Sequence, residues 1–234
     1  MDTTSFEAGA ARGRAWRCAA ARVLAGALVA ASGCSRPATQ PASRPASRAE
    51  GVVELFSGKD LTGWQVLDDG FYDGAGKVHV RNGQLILPAG EALTGVRWTG
   101  GFPGDDYEVT LEARRLGGPD FFCGMTFPVA GGHATLILGG WGGSIVGLSN
   151  VDDMPANDNE TTAVIDFKDK RWYPVRVRVA EGRVTVWLDG RELIDLKTKD
   201  RRFEVWPQQE DCRPFGISTW FTTGALRNVT LRRL

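Results

Sequence analysis

From Trp172 to Leu196 the chain reads WYPVRVRVAEGRVTVWLDGRELIDL, with Val175, Val177 and Val179 alternating against Arg176 and Arg178. A period of two puts one set of side chains in a core and the other in water, which only a half-buried strand satisfies. Glu181-Gly182-Arg183 then turns the chain, and Val184, Val186 and Leu188 repeat the pattern against Thr185 and Trp187. Asp189-Gly190 makes a second turn into Glu192–Leu196. Asp-Gly suits a tight hairpin because glycine takes positive φ without a steric penalty. A three-strand antiparallel meander is therefore fixed locally, and it commits its surroundings to β-structure.

Further strands are predicted at Val52–Phe56, Lys77–Arg81, Gln84–Pro88, Gly95–Trp98, Tyr107–Arg115, Phe121–Pro128, Ala134–Leu138, Thr161–Phe167, Phe215–Phe221 and Leu226–Arg232. Asn82-Gly83 marks another hairpin. The sequence offers no amphipathic helix beyond two turns and no repeat of fixed period. Many short strands with Gly, Asn and Asp punctuation predict an all-β sandwich or jelly roll of two antiparallel sheets. Its first and last strands should pair, because closure protects edges.

The N-terminus predicts an address. Arg12, Arg14, Arg17 and Arg22 precede a short apolar run, Val23 to Ala31, and then Ser32-Gly33-Cys34. A basic region, a brief apolar region and small residues describe a secretory signal too short to span a bilayer. Ala31-Ser32-Gly33-Cys34 resembles a bacterial lipobox, with Cys34 as the lipidated residue. Residues 35–50 are mostly Pro, Ala, Ser and Arg, a composition that cannot bury a core and reads as a tether. The expected order is signal 1–34, tether 35–50 and jelly-roll domain 51–234, anchored outside the cytoplasm by lipid alone. Lys plus Arg equals Asp plus Glu, so no global field draws nucleic acid. Cys123 and Cys212 are the domain's two thiols; Cys123 lies among Phe121, Met125 and Phe127, as a buried free thiol does. No CxxC occurs, which excludes a zinc ribbon.

Glu54-Leu55-Phe56-Ser57-Gly58-Lys59-Asp60-Leu61-Thr62-Gly63-Trp64 resembles the opening of the 3-keto-disaccharide hydrolase-like family. Val80-Arg81-Asn82-Gly83-Gln84-Leu85, Tyr107-Glu108-Val109, the Trp172–Leu188 meander and Leu226-Arg227-Asn228-Val229 resemble its later elements. The resemblance implies a concanavalin A-like jelly roll acting on 3-keto-glycosides by hydrolysis or elimination. Two strands depart from the family pattern. Phe122-Cys123-Gly124-Met125-Thr126-Phe127 and His133-Ala134-Thr135-Leu136-Ile137-Leu138 lack the polar residues that face a ligand there. A non-catalytic glycan-binding module on the same scaffold is the alternative.

Alternation nominates outward residues. If Val109, Leu111 and Ala113 face the core, Glu112 and Arg114 face out; likewise Thr135 beside His133, and Ser218, Trp220 and Thr222, with Phe221 inward. These are the candidate sugar contacts, joined by Trp141 in Gly139-Gly140-Trp141-Gly142-Gly143, since an indole face packs on a pyranose. Glu160, His133 and Asp120 are the candidate acids and bases, two carboxylates ~5–10 Å apart being the usual glycosidase requirement. The stretch from Asp152 to Glu160 is rich in oxygen ligands. Asp152, Asp153 and Asp158 are weak candidates for a divalent cation, although such loops are usually solvated turns. No Ser-His-Asp elbow, phosphate loop or HExxH motif occurs.

Overall fold

The computed structural model describes residues 51–68 and 70–234; the expected signal, Cys34 and the tether lie outside them. Fifteen strands fill two antiparallel sheets. In chain order they are β1 (Val52–Glu54), β2 (Trp64–Leu67), β3 (His79–Arg81), β4 (Gln84–Leu87), β5 (Leu93–Trp98), β6 (Tyr107–Gly117) and β7 (Cys123–Val129). There follow β8 (Gly132–Gly139), β9 (Ile145–Ser149), β10 (Ala163–Val164), β11 (Tyr173–Ala180), β12 (Arg183–Leu188), β13 (Arg191–Lys197), β14 (Gly216–Trp220) and β15 (Thr223–Arg233). A 3-10 segment, Pro207–Cys212, precedes β14.

Sheet I runs β13-β12-β11-β6-β15-β4-β3, with β1 also on β15. Sheet II runs β10-β9-β8-β7-β14-β5-β2. First and last strands pair as expected, Val52 opposite Arg232. The predicted meander is β11-β12-β13, its register set by Val175 opposite Leu188 and Val184 opposite Leu196. The structure adds two strands that the pattern did not mark, β2 and β9, and shortens Thr161–Phe167 to a two-residue pairing.

Between the sheets lies one continuous core. Sheet I contributes Tyr107, Val109, Leu111, Val177 and Val186, and sheet II contributes Val96, Met125, Phe127, Leu136, Leu138 and Ile217, all buried. Cys123 joins that core as a free thiol, while Phe121 belongs to a smaller cluster on the opposite face of sheet II. Within the core, Phe102 stacks on Phe215 at 4.6 Å and meets Tyr107 edge-on at 5.1 Å. The Tyr107 hydroxyl donates to the Pro128 carbonyl, tying the first strand of one sheet's centre to the end of β7 in the other.

The outer face of sheet II positions the functional site. Across five strands one row reads Gly95, Ser218, Gly124, Ile137, Gly147. The glycines make a trough into which covering chain descends. A Cβ on Gly147 would sit 2.5 Å from the Ala156 carbonyl, and one on Gly124 2.9 Å from the Gln209 amide. The loop 150–160 is therefore seated on one end of the trough and the 3-10 segment on its middle, while Tyr72 meets Gly95 at the other end.

Candidate functional site

Between those two covers a cavity of about 340 Å³ remains open, within the usual range for a small-ligand site. Asp120, Phe121, Ile137, Trp141, Ser149, Asn150, Pro155, Trp206, Gln209 and Trp220 line it. Trp220 projects from the outer face of β14, parallel-stacked on Phe121 at 6.4 Å and edge-on to Trp206 at 5.3 Å. Trp141 and Trp206 remain 46% and 38% exposed. Soluble proteins rarely leave indoles uncovered in a group, and aromatic clusters of this kind mark binding surfaces.

Local sequence explains each placement. After β8, Gly139 and Gly140 lead to Trp141 at φ 49°, ψ 58°, a left-handed conformation that a bulky residue adopts at a cost of about 1–2 kcal/mol. The neighbouring glycines turn freely, so the loop holds the indole up at the rim. Asp120 sits just before β7. Its Oδ1 accepts the Phe121 N–H at 2.8 Å, its Oδ2 accepts the Gly142 N–H at 3.3 Å, and its own N–H donates to Thr222 Oγ1 at 2.9 Å. One carboxylate thereby fastens the Trp141 loop to the segment that carries Phe121 into β7. A carboxylate offers about four acceptor sites, so two remain for a ligand.

The amides are held from behind. Gln209 is buried and its Nε2 donates to Ser218 Oγ at 3.2 Å. Ser149 Oγ donates to Asn150 Oδ1 at 2.8 Å, and Asn150 Nδ2 makes no hydrogen bond among the described residues. Asn159 braces the covering loop. Its Nδ2 donates to the carbonyls of Leu148, Met154 and Pro155, and its Oδ1 accepts from Thr161.

The structure gathers Asp120, Trp141 and Trp220 from the sequence candidates into this cavity, with Ser218 and Thr222 supporting it from buried positions. It separates the others. Glu112 and Arg114 face outward from sheet I, on the far side of the sandwich, so they do not share a face with Trp220. There Glu112 accepts from Arg227 and Asn228. Partial burial pushes its carboxyl up, but those hydrogen bonds outweigh it and hold it below the usual range. Arg114 donates to Gln84 and lies over the Trp172 ring at 4.4 Å.

Thr135 is on the outer face of sheet II as expected, yet fully buried and bonded to Thr126 at 2.9 Å. His133 is half-buried near the strand's start and does not line the cavity. Burial, then the Arg213 charge, hold its imidazole below its ordinary value. Phe221 is not inward. It is 44% exposed at φ 45°, where β14 has already ended.

Glu160 and Asp152 both pair with Arg201, and Asp153 pairs with Arg202. Asp158 is exposed. The carboxylates of the Asp/Asn-rich loop thus clamp it to 201–202 rather than converge. Among the described residues no group of three or more His, Cys, Asp or Glu side chains is placed to hold a metal ion.

Sequence reasoning missed Trp206, Gln209, Ser149 and Asn150. Trp206 stands before Pro207 in a segment with no periodicity, and β9 carries Ile145 and Gly147 where alternation against Val146 and Leu148 would show polar residues. The clustering of three of the chain's eight tryptophans at this one site was the available signal.

Two facing antiparallel sheets with a groove on one outer face define a concanavalin A-like jelly roll, the architecture of glycosyl hydrolase-like proteins and of carbohydrate-binding modules. A candidate glycosyl hydrolase of Parabacteroides distasonis ATCC 8503 superposes with TM-score 0.52 at 16% identity, over 80% of this chain and 95% of that one. Domain 4 of AbnA, an extracellular arabinanase of Geobacillus stearothermophilus, in complex with arabinotriose, gives 0.51 at 12% identity over 78% and 91%. A Bacillus subtilis protein with a galectin-like fold gives 0.52 at 10% over 78% and 94%. The model of the 3-keto-alpha-glucoside-1,2-lyase-like domain matches residues 51–232, and the chain belongs to that family. No curated protein matches it.

Proposed function

We propose that this protein binds glycosides oxidised at C3 in the sheet II cavity and cleaves them by elimination, with Asp120 as the base. The observation that carries the reading is a cavity walled by three indoles and holding one carboxylate. Two-carboxylate hydrolysis needs a partner acid ~5–10 Å away, and none of the other lining residues is acidic. Elimination needs only one base, because a C3 ketone already acidifies the C2–H bond.

In the proposed reaction Asp120 takes the C2 proton, and the electron pair forms an enolate spread onto O3. Collapse of that enolate restores the C3 carbonyl, makes the C1–C2 double bond and breaks the C1–O bond. The leaving oxygen then takes up a proton. No water is consumed, and the products are an unsaturated ketone and a free alcohol. The Asn150 Nδ2 donor is available for the charge developing on O3, where a positioned hydrogen bond stabilises most. Trp141, Trp206 and Trp220 cover the ring and exclude solvent.

A non-catalytic glycan-binding role is favoured by a separate observation: both Asp120 oxygens accept backbone N–H groups, so the residue has a structural task. Incubation with a 3-keto-disaccharide separates the readings. Elimination predicts a conjugated ketone visible in the ultraviolet, a rate lowered ~10²–10⁴-fold by Asp120→Asn, and glycan affinity kept within a few-fold. Glycan binding without product assigns the module instead. Release of both sugars without the conjugated ketone points to hydrolysis.

We further propose that the protein works outside the cytoplasm, held to a bacterial membrane through lipid on Cys34. The basic and apolar run ending at that cysteine supports this.

A further inference from the structure

On the far face of the sandwich a second cavity, of about 310 Å³, opens over β6, β11 and β12. Its lining includes Pro174, Trp187, Thr110 and Glu112. At its side stands Arg176, whose guanidinium lies over the Trp187 ring at 3.7 Å from the centroid. That stack fixes the planar fork in place, so little freedom remains to be lost on binding.

The charge on this fork is only loosely paired. Arg176 makes no hydrogen bond among the described residues, and its nearest acid is Glu108 at 3.9 Å. Glu108 is already held by Arg232 at 3.0 Å. The acid that lines the cavity, Glu112, is taken by Arg227 and Asn228. Two residues further along the same strand face, about 7 Å away at ~3.3 Å per residue, Arg178 pairs, among the described residues, with Glu181 at 3.3 Å, a side chain 80% exposed. An exposed pair of that kind is weak. Guanidinium donors set beside a cavity, with their acids committed elsewhere, fit a carboxylate or sulfate in a bidentate grip.

We propose that this face binds an acidic polysaccharide, the anionic group of one residue on Arg176 and its ring between Pro174 and Trp187. A sugar acid meets the cation, the apolar walls and the Thr110 hydroxyl together. The surface is independent of the tryptophan cavity on sheet II, so either site can fail without the other. Its use would be to hold the protein on an anionic glycan while the sheet II cavity works on a different sugar.

Retention on immobilised polygalacturonate, beside heparin and neutral dextran, is the test. The expected result is retention on polygalacturonate at low salt that falls steeply as salt rises, and none on dextran. Arg176→Gln should weaken that affinity about tenfold, the loss of one charge-assisted contact, with an unchanged melting temperature. Trp141→Gly should leave it intact. Binding to heparin alone moves the assignment from uronate to sulfate within the same chemistry. Equal retention on dextran overturns the proposal, as does equal binding of single-stranded DNA or indifference to Arg176→Gln.

Discussion

Replacing Trp141 with glycine removes the indole from the cavity rim and lets its effect on binding be read apart from its effect on folding. The side chain is 46% exposed; of about 250 Å² for a tryptophan that leaves about 115 Å² on the wall. A pyranose covering half of it removes about 55 Å², worth about 1.4 kcal/mol at ~25 cal/mol/Å². The variant should therefore bind about tenfold more weakly. On the folding side, the buried remainder of the indole, about 135 Å², is worth at most about 3 kcal/mol. Relief of a left-handed conformation at φ 49° returns about 1–2 kcal/mol. The net loss is then at most about 2 kcal/mol, or roughly 4–8 °C of melting temperature for a domain of this size. Isothermal titration with a glycoside ligand and a thermal melt give both numbers. Affinity within twofold of wild type, in a protein that remains folded, refutes the assignment of Trp141 to the sugar site.

Tyr107→Phe should cost about 1–3 kcal/mol in denaturant unfolding, because it removes the buried hydroxyl that donates to the Pro128 carbonyl while leaving the ring. Phe215→Ala, at the centre of the Phe102–Phe215–Trp64 stack, should cost about 3–5 kcal/mol. Burial pushes the Cys123 thiol up to about 12; burial likewise lifts Cys212 to about 11, against the hydrogen bonds from Tyr72 and Ser218. Both thiols should resist alkylation in the native protein and react on unfolding. Their stabilising contribution is intact below pH 9 and is lost between there and pH 11–12, as the unfolded chain's thiols ionise first. Cys34→Ser should move the full chain from the membrane fraction to the soluble one; wild-type protein already free of membranes contradicts the anchor.

The strands were legible wherever one face is buried and the other wet. Val175, Val177 and Val179 could be assigned to the core from spacing alone, and Asp189-Gly190 fixed the turn that follows. β9 escaped because both its faces are covered, which erases alternation, and because Gly147 yields to Ala156. Inward and outward sets were right along β6 and β8, but no local pattern says which sheet a strand joins. Glu112 and Trp220 could therefore look like neighbours while pointing to opposite sides of the molecule. Exposure was equally out of reach for Thr135, since alternation says which face a side chain takes and not whether that face is covered. The Trp172–Leu196 stretch specifies its own structure; the cavity depends on Asp120, Trp141, Asn150 and Gln209 meeting through tertiary packing.

The central claim is that sugar sits on sheet II among the three indoles, beside Asp120. A crystal structure of the Asp120→Asn protein with a 3-keto-glycoside tests it directly. The account predicts a pyranose ring against Trp141, Trp206 or Trp220, with C2 within reach of residue 120 and O3 near Asn150. A glycoside found elsewhere, with that cavity empty at saturating ligand, contradicts it.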